Sequence, residues 1–387
     1  MTYLALQRGV SLRRLEEPYL YDARHDELYE LSQEAWDYLA GADGARAGYA
    51  AAGDPEFMAV LLEEDLVAEF DAPSPRPPRI GTQPEPSLRY LELYVTERCN
   101  LRCGHCFLGA AGREDLPLDV IARLLDEFDE MGGLRLLLTG GEALLHPDFR
   151  ELNELLPRHG FRTVLLSNGT LLADAVAGLR AQEVQVSLDG MREAHDVLRG
   201  EGSFDRAVEG LRAARAAGLD VSVSTMVLSH NRDDLPALED LVLRLGARSW
   251  NVDVPSRCGA LAAHPHLLLS PPESAGYLSY AFGGGVHDAV PGSTCGSHLM
   301  AVFPDGAGAK CGFYADRPVG RVEEGLAVLW SRVPRPSLDS LTCSCAFLEA
   351  CHGGCRFRAS TYNGEEQPDP VQCCARGVVT AGEGGGQ

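Results

Sequence analysis

A rhythm that begins at Tyr90 limits the possible folds more than any other feature of the sequence. Segments with the length and composition of strands occur at Tyr90–Val95, Leu134–Leu138, Thr163–Ser167, Val184–Leu188, Val221–Met226 and Ser249–Val254. Helical apolar spacing at Leu118–Met131, Pro147–Leu156, Leu171–Ala181, Phe204–Ala217 and Leu235–Leu245 separates them. Six strands with interposed helices predict parallel βα units, as an open sheet or a partial barrel. On such folds the active site lies at the carboxyl ends of the strands.

The flanking segments differ. Residues 1–70 hold 15 Asp/Glu against 5 Lys/Arg, close to half of the net charge of −22. Short strands are expected at Val10–Leu15, Tyr19–Tyr21 and Leu28–Leu31, then a helix opened by Ser32, a second helix at Pro55–Glu64 capped by Asp54, and a strand at Leu66–Phe70. That order suits a small winged-helix-like α+β domain at 1–71. Six prolines within 72–87 predict a semi-rigid linker. The core then spans 88–285. Past Pro255 the periodicity stops and Gly, Pro and Cys dominate, so 286–376 forms a separate cysteine-rich region that needs a staple, and 377–387 reads as a flexible tail.

Charge and hydropathy exclude two partners. With 34 basic and 56 acidic residues the chain is no nucleic-acid binder, and no apolar run approaches the roughly 20 residues of a membrane span. The N-terminus lacks the features of a signal peptide, so a cytoplasmic protein is expected. In that compartment 12 cysteines are not a disulfide framework; clustered thiols there read as metal or iron–sulfur ligands.

Cys99, Cys103 and Cys106 follow directly on the strand at Tyr90–Val95. A closed zinc site needs four ligands, and His105 is the only local candidate for the fourth. Three thiolates on a cubane cluster leave one iron for a small molecule. The Cys-x3-Cys-x2-Cys spacing, together with Thr139-Gly140-Gly141-Glu142, Ser167-Asn168-Gly169-Thr170 and Ser187-Leu188-Asp189-Gly190 at three later strand ends, resembles the radical S-adenosylmethionine (radical SAM) family. The resemblance covers about residues 88–285. It implies a partial (β/α)6 TIM barrel, a [4Fe–4S] cluster on the three thiolates, and reductive cleavage of SAM to a 5′-deoxyadenosyl radical that abstracts a substrate hydrogen. Gly140, Gly141, Glu142, Ser167, Asn168, Ser187, Asp189 and Arg199 are the implied SAM-pocket residues. The catalytic acid or base stays unassigned, and Ala143 stands where the family often has Pro.

The remaining cysteines, Cys295, Cys311, Cys343, Cys345, Cys351, Cys355, Cys373 and Cys374, with Gly306 before Cys311, resemble the SPASM extension of that family. Two auxiliary [4Fe–4S] clusters are then implied. The first would take Cys295, Cys311 and Cys355, with Cys258, Cys374, substrate or water as its fourth ligand. The second would take Cys343, Cys345, Cys351 and either Cys373 or Cys374. One residue, not two, separates Cys343 from Cys345, a departure from the pattern. The N-terminal unit resembles a RiPP recognition element, the domain related to the pyrroloquinoline quinone chaperone that binds the leader of a ribosomally made, post-translationally modified peptide by strand addition.

These resemblances imply a radical SAM/SPASM maturase of a precursor peptide whose leader binds residues 1–71, with a one-electron donor such as flavodoxin or ferredoxin and a cross-link or thioether as product. Two alternatives keep the same radical chemistry on a protein side chain, as in sulfatase maturation, or on a tetrapyrrole. A third, from another class, is a zinc-stapled peptide-binding scaffold without catalysis.

Overall fold

The computed structural model describes residues 2–49, 53–285 and 290–378. The first unit runs β1 (Tyr3–Leu6), β2 (Val10–Arg14), β3 (Pro18–Asp22), β4 (Glu27–Glu30), α1 (Gln33–Ala40), β5 (Asp43–Ala47), α2 (Pro55–Glu63) and β6 (Val67–Phe70). The Ser32 hydroxyl accepts the Ala35 N–H to open α1, and Asp54 caps α2 in the same way. The expected strands and both helices are present, and β1 and β5 are additional. The composition of β5, Asp-Gly-Ala-Arg-Ala, gives no strand signal; it is extended because it pairs with β1.

The proline-rich segment is more than a spacer. Its residues Ile80–Thr82 form β7, which pairs parallel to β2 and makes the sheet four-stranded in the order β4-β3-β2-β7. The edge of β2 is therefore covered, while β4 is the outer strand at the opposite side.

Strand–helix alternation then begins: β8 (Tyr90–Tyr94), α3 (Leu118–Glu130), β9 (Arg135–Thr139), α4 (Phe149–Leu155), β10 (Arg162–Ser167), α5 (Leu172–Ala175), β11 (Glu183–Ser187), α6 (Arg192–Arg199), α7 (Ser203–Ala216), β12 (Asp220–Met226), α8 (Leu235–Leu245) and β13 (Ser249–Asp253). All six strands fall within one residue of their expected limits. The helix expected over 171–181 shortens to α5 and a 3-10 turn at Val176–Gly178, and α6 is an addition. The cysteine-rich region contributes β14 (Leu299–Val302), β15 (Ala307–Ala309) and β16 (Gly320–Arg321), so the sheet order is β13-β12-β11-β10-β9-β8-β14-β15-β16. Since β14 pairs parallel to β8, this region adds its strands to the core sheet. Among the described residues the sheet does not close into a barrel, which agrees with the expected partial barrel. The expected boundary at 286 falls on residues outside those described, as do 379–387 of the expected tail. No described helix is long and apolar enough to cross a membrane.

One stripe of α3 buries Ile121, Leu124, Leu125 and Phe128 completely against Leu91 and Leu93 of β8 and Leu136 of β9. Each such side chain contributes roughly 1.5–3 kcal/mol. The N-terminal unit docks at the other ends of the strands, through charged groups. Arg162, the first residue of β10 and fully buried, donates to the carbonyls of Ala23 (3.2 Å) and Arg24 (2.7 Å), and pairs with Glu183 (3.0 Å) and Asp220. Arg135, the first residue of β9, pairs with Asp26. Arg13 is fully buried beside Asp129, which also accepts from Arg79 at 2.9 Å. At the same seam Gly81 lies so close to Gly132 that a Cβ on it would stand 2.3 Å from the Gly132 Cα.

These bonds make the N-terminal unit a fixed cap on the amino ends of the core strands. Arg162→Met leaves Glu183 and two backbone carbonyls without their cation, and removal of one partner of a buried pair costs about 3–5 kcal/mol. Thermal or denaturant unfolding of the purified chain measures this, and a loss below about 1 kcal/mol would show that the docking does not depend on Arg162.

Candidate active site

At the carboxyl ends of β8–β12 lies a cavity of about 750 Å³. Cys99, Cys103 and Cys106, on the loop after β8, line it together with Gly140, Gly141, Ser167, Asn168, Ser187, Asp189 and Arg199. Seven of the eight expected pocket residues are thus gathered around the three thiols, and the eighth, Glu142, is absent from the lining.

Two glycines set the cysteine loop. The Gly141 N–H donates to the Thr96 carbonyl at 2.8 Å and the Glu142 N–H to the Arg98 carbonyl at 2.7 Å. A Cβ at 140 would stand 2.5 Å from the Thr96 carbonyl oxygen, and one at 141 would stand 2.5 Å from that of Arg98. The missing side chains therefore admit the backbone that leads to Cys99. Glu142 is 1% exposed; its carboxylate accepts from the Ser167 hydroxyl at 3.0 Å and the Asn168 N–H at 2.9 Å, tying the end of β9 to the end of β10. Burial raises its pKa. Ala143 is fully buried in the 3-10 turn that follows.

Asp189 lines the cavity from the carboxyl end of β11. Fully buried, it accepts from Arg199 Nε at 2.5 Å, His105 Nε2 at 2.8 Å and the Met226 N–H at 2.8 Å. Burial works against its charge, but Arg199 and His105 hold it well below the usual carboxylate range. Arg199, fixed this way, directs Nη1 toward Cys103 Sγ at 3.9 Å. Asn168 reaches toward Cys99 Sγ at 4.0 Å, and the Leu101 N–H stands 3.5 Å from the same sulfur. Burial pushes the Cys103 thiol up to about 11, opposed by Arg199. Such a thiol ionises only beside positive charge, which a metal supplies.

No set of three or more His, Cys, Asp or Glu side chains among the described residues converges as on one metal ion. Instead Cys99, Cys103 and Cys106 are electrostatic neighbours on one loop with N–H donors directed at two of them. Soft thiolates around an open cavity fit an iron–sulfur cluster with a ligand position left for a small molecule.

The later cysteines fall into two groups. Cys311 has Cys355 and Cys295 as charge neighbours; burial pushes Cys355 up to about 11 and Cys311 further. The Arg356 N–H lies 3.4 Å from Cys295 Sγ and the Arg358 N–H 3.4 Å from Cys355 Sγ. Cys373 has Cys343, Cys345 and Cys351 as charge neighbours, so the one-residue spacing does not remove Cys343 or Cys345 from that group. Cys258 joins neither group. It lines the cavity, its charge neighbour is Cys106, and the Ala260 N–H beside it donates to the Cys106 carbonyl at 2.9 Å. Glu92, Tyr94, Phe303 and Phe313, not foreseen, extend the lining.

Comparison with known proteins agrees with this geometry. Residues 93–242 match the Radical SAM superfamily. This chain carries a radical SAM domain and is an enzyme of that superfamily. The chain is 35% identical over 156 residues to the Fe-coproporphyrin III synthase of Methanosarcina barkeri (strain Fusaro / DSM 804), an alignment covering 38% of this chain and 39% of that protein. To the mycofactocin maturase MftC of Mycobacterium ulcerans (strain Agy99) it is 29% identical over 322 residues, 73% of this chain and 86% of that protein. The fold matches Streptococcus suis SuiB bound to precursor peptide SuiA with a TM-score of 0.66 at 15% identity, covering 95% of this chain and 98% of SuiB. That likeness extends beyond the radical SAM domain into the flanking units.

Asp189 positions Arg199 beside the Cys103 thiol. Second-sphere losses of this kind weaken metal retention about 10–100-fold. Asp189→Asn is therefore expected to surrender iron to a chelator faster by that factor, followed by decay of the cluster absorbance; an unchanged rate would remove Asp189 from this role.

Proposed function

We propose that the chain is a radical SAM maturase of a ribosomally made peptide, with an N-terminal recognition element for the leader and a C-terminal SPASM region. The observation that carries this reading is the edge strand β4, presented by a unit that is fixed to the core and faces solvent on its outer side. Strand addition to such an edge satisfies the main-chain groups of an extended peptide. SuiB, whose fold covers nearly all of this chain, was solved with its precursor peptide.

Cys99, Cys103 and Cys106 would hold a [4Fe–4S] cluster, and Gly140, Gly141, Ser167, Asn168, Ser187 and Arg199 would surround SAM. Once bound, such a cluster would supply the electron for reductive cleavage of SAM to methionine and a 5′-deoxyadenosyl radical, taken from a one-electron donor such as flavodoxin or ferredoxin. The chain itself orients the substrate hydrogen toward that radical and keeps water out. Cys295, Cys311 and Cys355 would hold one auxiliary cluster, and Cys343, Cys345, Cys351 and Cys373 a second. A cross-link or a thioether is the product we assign.

The leader edge and the cavity lie at opposite ends of the core strands. Strands of five to seven residues rise about 20 Å, so the precursor must pass around the sheet between recognition and reaction. A second reading, a tetrapyrrole substrate, is favoured by the 35% identity to the Fe-coproporphyrin III synthase.

Anaerobically reconstituted enzyme with SAM and a reductant is expected to release 5′-deoxyadenosine; the Cys99→Ala, Cys103→Ala, Cys106→Ala triple variant is expected to release none, and release from it would refute the cluster assignment. Coexpression with the small open reading frame beside the gene, followed by mass spectrometry, is expected to change the peptide mass; an unchanged mass together with a modified tetrapyrrole would favour the second reading. Cys373→Ala is expected to lower bound iron by about four atoms per chain and Cys374→Ala to leave it unaltered, the reverse result exchanging the two.

A further inference from the structure

The cavity continues beyond the cysteine loop to a wall formed by Glu92, Tyr94, Phe303 and Phe313. Glu92 stands in the middle of β8 between Leu91 and Leu93, both fully buried against the helices. Alternation along the strand turns Glu92 and Tyr94 to the opposite face, toward the cavity. A carboxylate oxygen of Glu92 accepts the Gly312 N–H at 2.7 Å, and the Tyr94 hydroxyl also hydrogen-bonds the carboxylate. Gly312 is closely held: a Cβ there would stand 2.1 Å from the Tyr94 hydroxyl oxygen and 3.2 Å from Glu92 Oε2. The carboxylate is therefore fixed from two sides.

Its charge is not compensated by the protein. Among the described residues no cationic side chain contributes to its surroundings, and burial pushes the carboxyl up to about 7. A parallel strand covered on both faces normally carries apolar residues throughout, so a carboxylate at this place is an exception. The rest of the lining has the same sign. Glu97 and Glu114 outnumber Arg102, while Asp189 pairs with Arg199 and Asp305 with Arg321. Beside Glu92, Tyr94 stacks on Phe303 at 5.0 Å, and Phe313 lies against Phe107 at 5.2 Å. Aromatic faces next to a fixed carboxylate suit the apolar stem and charged head of a basic side chain.

We propose that Glu92 selects the substrate by charge, receiving a lysine or arginine side chain of the peptide segment that is modified. The inference rests on the peptide reading above and makes it more specific. It also sets the cavity against a porphyrin bearing carboxylate side chains, which the same acidic lining repels.

The test uses the full-length holoenzyme and three labelled peptides, acetyl-Gly-Phe-Gly-Xaa-Gly-Phe-Gly-amide with Xaa as lysine, norleucine or glutamate, followed by fluorescence anisotropy. The lysine peptide is expected to bind about tenfold more tightly than the norleucine peptide and the glutamate peptide most weakly, with the lysine advantage shrinking as salt rises. Glu92→Gln, which keeps shape and loses charge, is expected to bring the lysine and norleucine peptides within about twofold of each other; Glu92→Asp is expected to retain the order. Equal binding of all three by wild-type enzyme, or a lysine preference that survives in Glu92→Gln, overturns the assignment of Glu92 and leaves the peptide reading standing. If no peptide binds while the same wild-type preparation releases 5′-deoxyadenosine, both fall. Should Glu92→Gln fail to fold, the order of the three peptides on wild-type enzyme and its salt dependence decide the matter.

Discussion

The cysteine loop can stand where it does because the carbonyls of Thr96, Glu97 and Arg98 pass within contact distance of Gly140 and Gly141. Any side chain at either glycine would displace the backbone that leads into Cys99. This approach joins the ends of β8 and β9, and Glu142 carries the join across to β10 through Ser167 and Asn168. Three adjacent strand ends are thereby locked before any ligand is considered. The thiols, the amide of Asn168 and the Asp189–Arg199 pair then face one space because their strands cannot shift relative to one another. Preorganisation of this kind keeps polar groups in a buried site from needing to reorganise when charge develops there.

At the opposite end of the same strands a different force applies. The docking of the N-terminal unit relies on arginines that have been stripped of water and matched to carboxylates and carbonyls. Buried ion pairs add little net stability, but each demands its partners in position. Arg162 bonds two carbonyls of the N-terminal unit and two carboxylates of the core, so the seam permits few relative positions. Strand β7 and the contact between Gly81 and Gly132 restrict it further. Under the proposed function a peptide at β4 would be held at a set distance from the cavity, so a spacer in that peptide, and not domain motion, would cover the gap.

Much of this was legible in the sequence. The six core strands stood out because parallel strands are continuous apolar runs bounded by turns, and the three cysteines with the strand-end motifs located the site. The misses share a cause: each depends on a partner distant in the chain. Ile80–Thr82 is extended because β2 offers an edge, and Leu299–Val302 enters the core sheet because β8 does; neither carries that information locally. Glu142 stands behind the lining, where it ties strand ends together, and Asp189, which does line the cavity, also anchors Arg199. Cys258, one of four candidates for the fourth ligand of the first auxiliary group, is set by the fold against the loop of Cys106. Glu92 did leave a trace, a lone charge within an apolar strand, and the burial pattern gives that trace a meaning.

Charge connects the two ends of the molecule. Close to half of the net −22 lies in the N-terminal unit, and Glu92, Glu97 and Glu114 place carboxylates in the cavity lining. An iron–sulfur cluster on the three thiolates of the cysteine loop would add further negative charge to the same interior. A substrate rich in carboxylates would meet repulsion at the recognition edge, at the mouth and at Glu92, with no single group able to offset it. A basic peptide, the proposed substrate, would meet attraction at each of these places, and attraction spread over separated sites steers an extended chain without binding it tightly at any one of them. Acidic composition, which at first only excluded nucleic acid, thus bears on the proposed substrate as well: of two peptides, the basic one would reach the cavity against less repulsion.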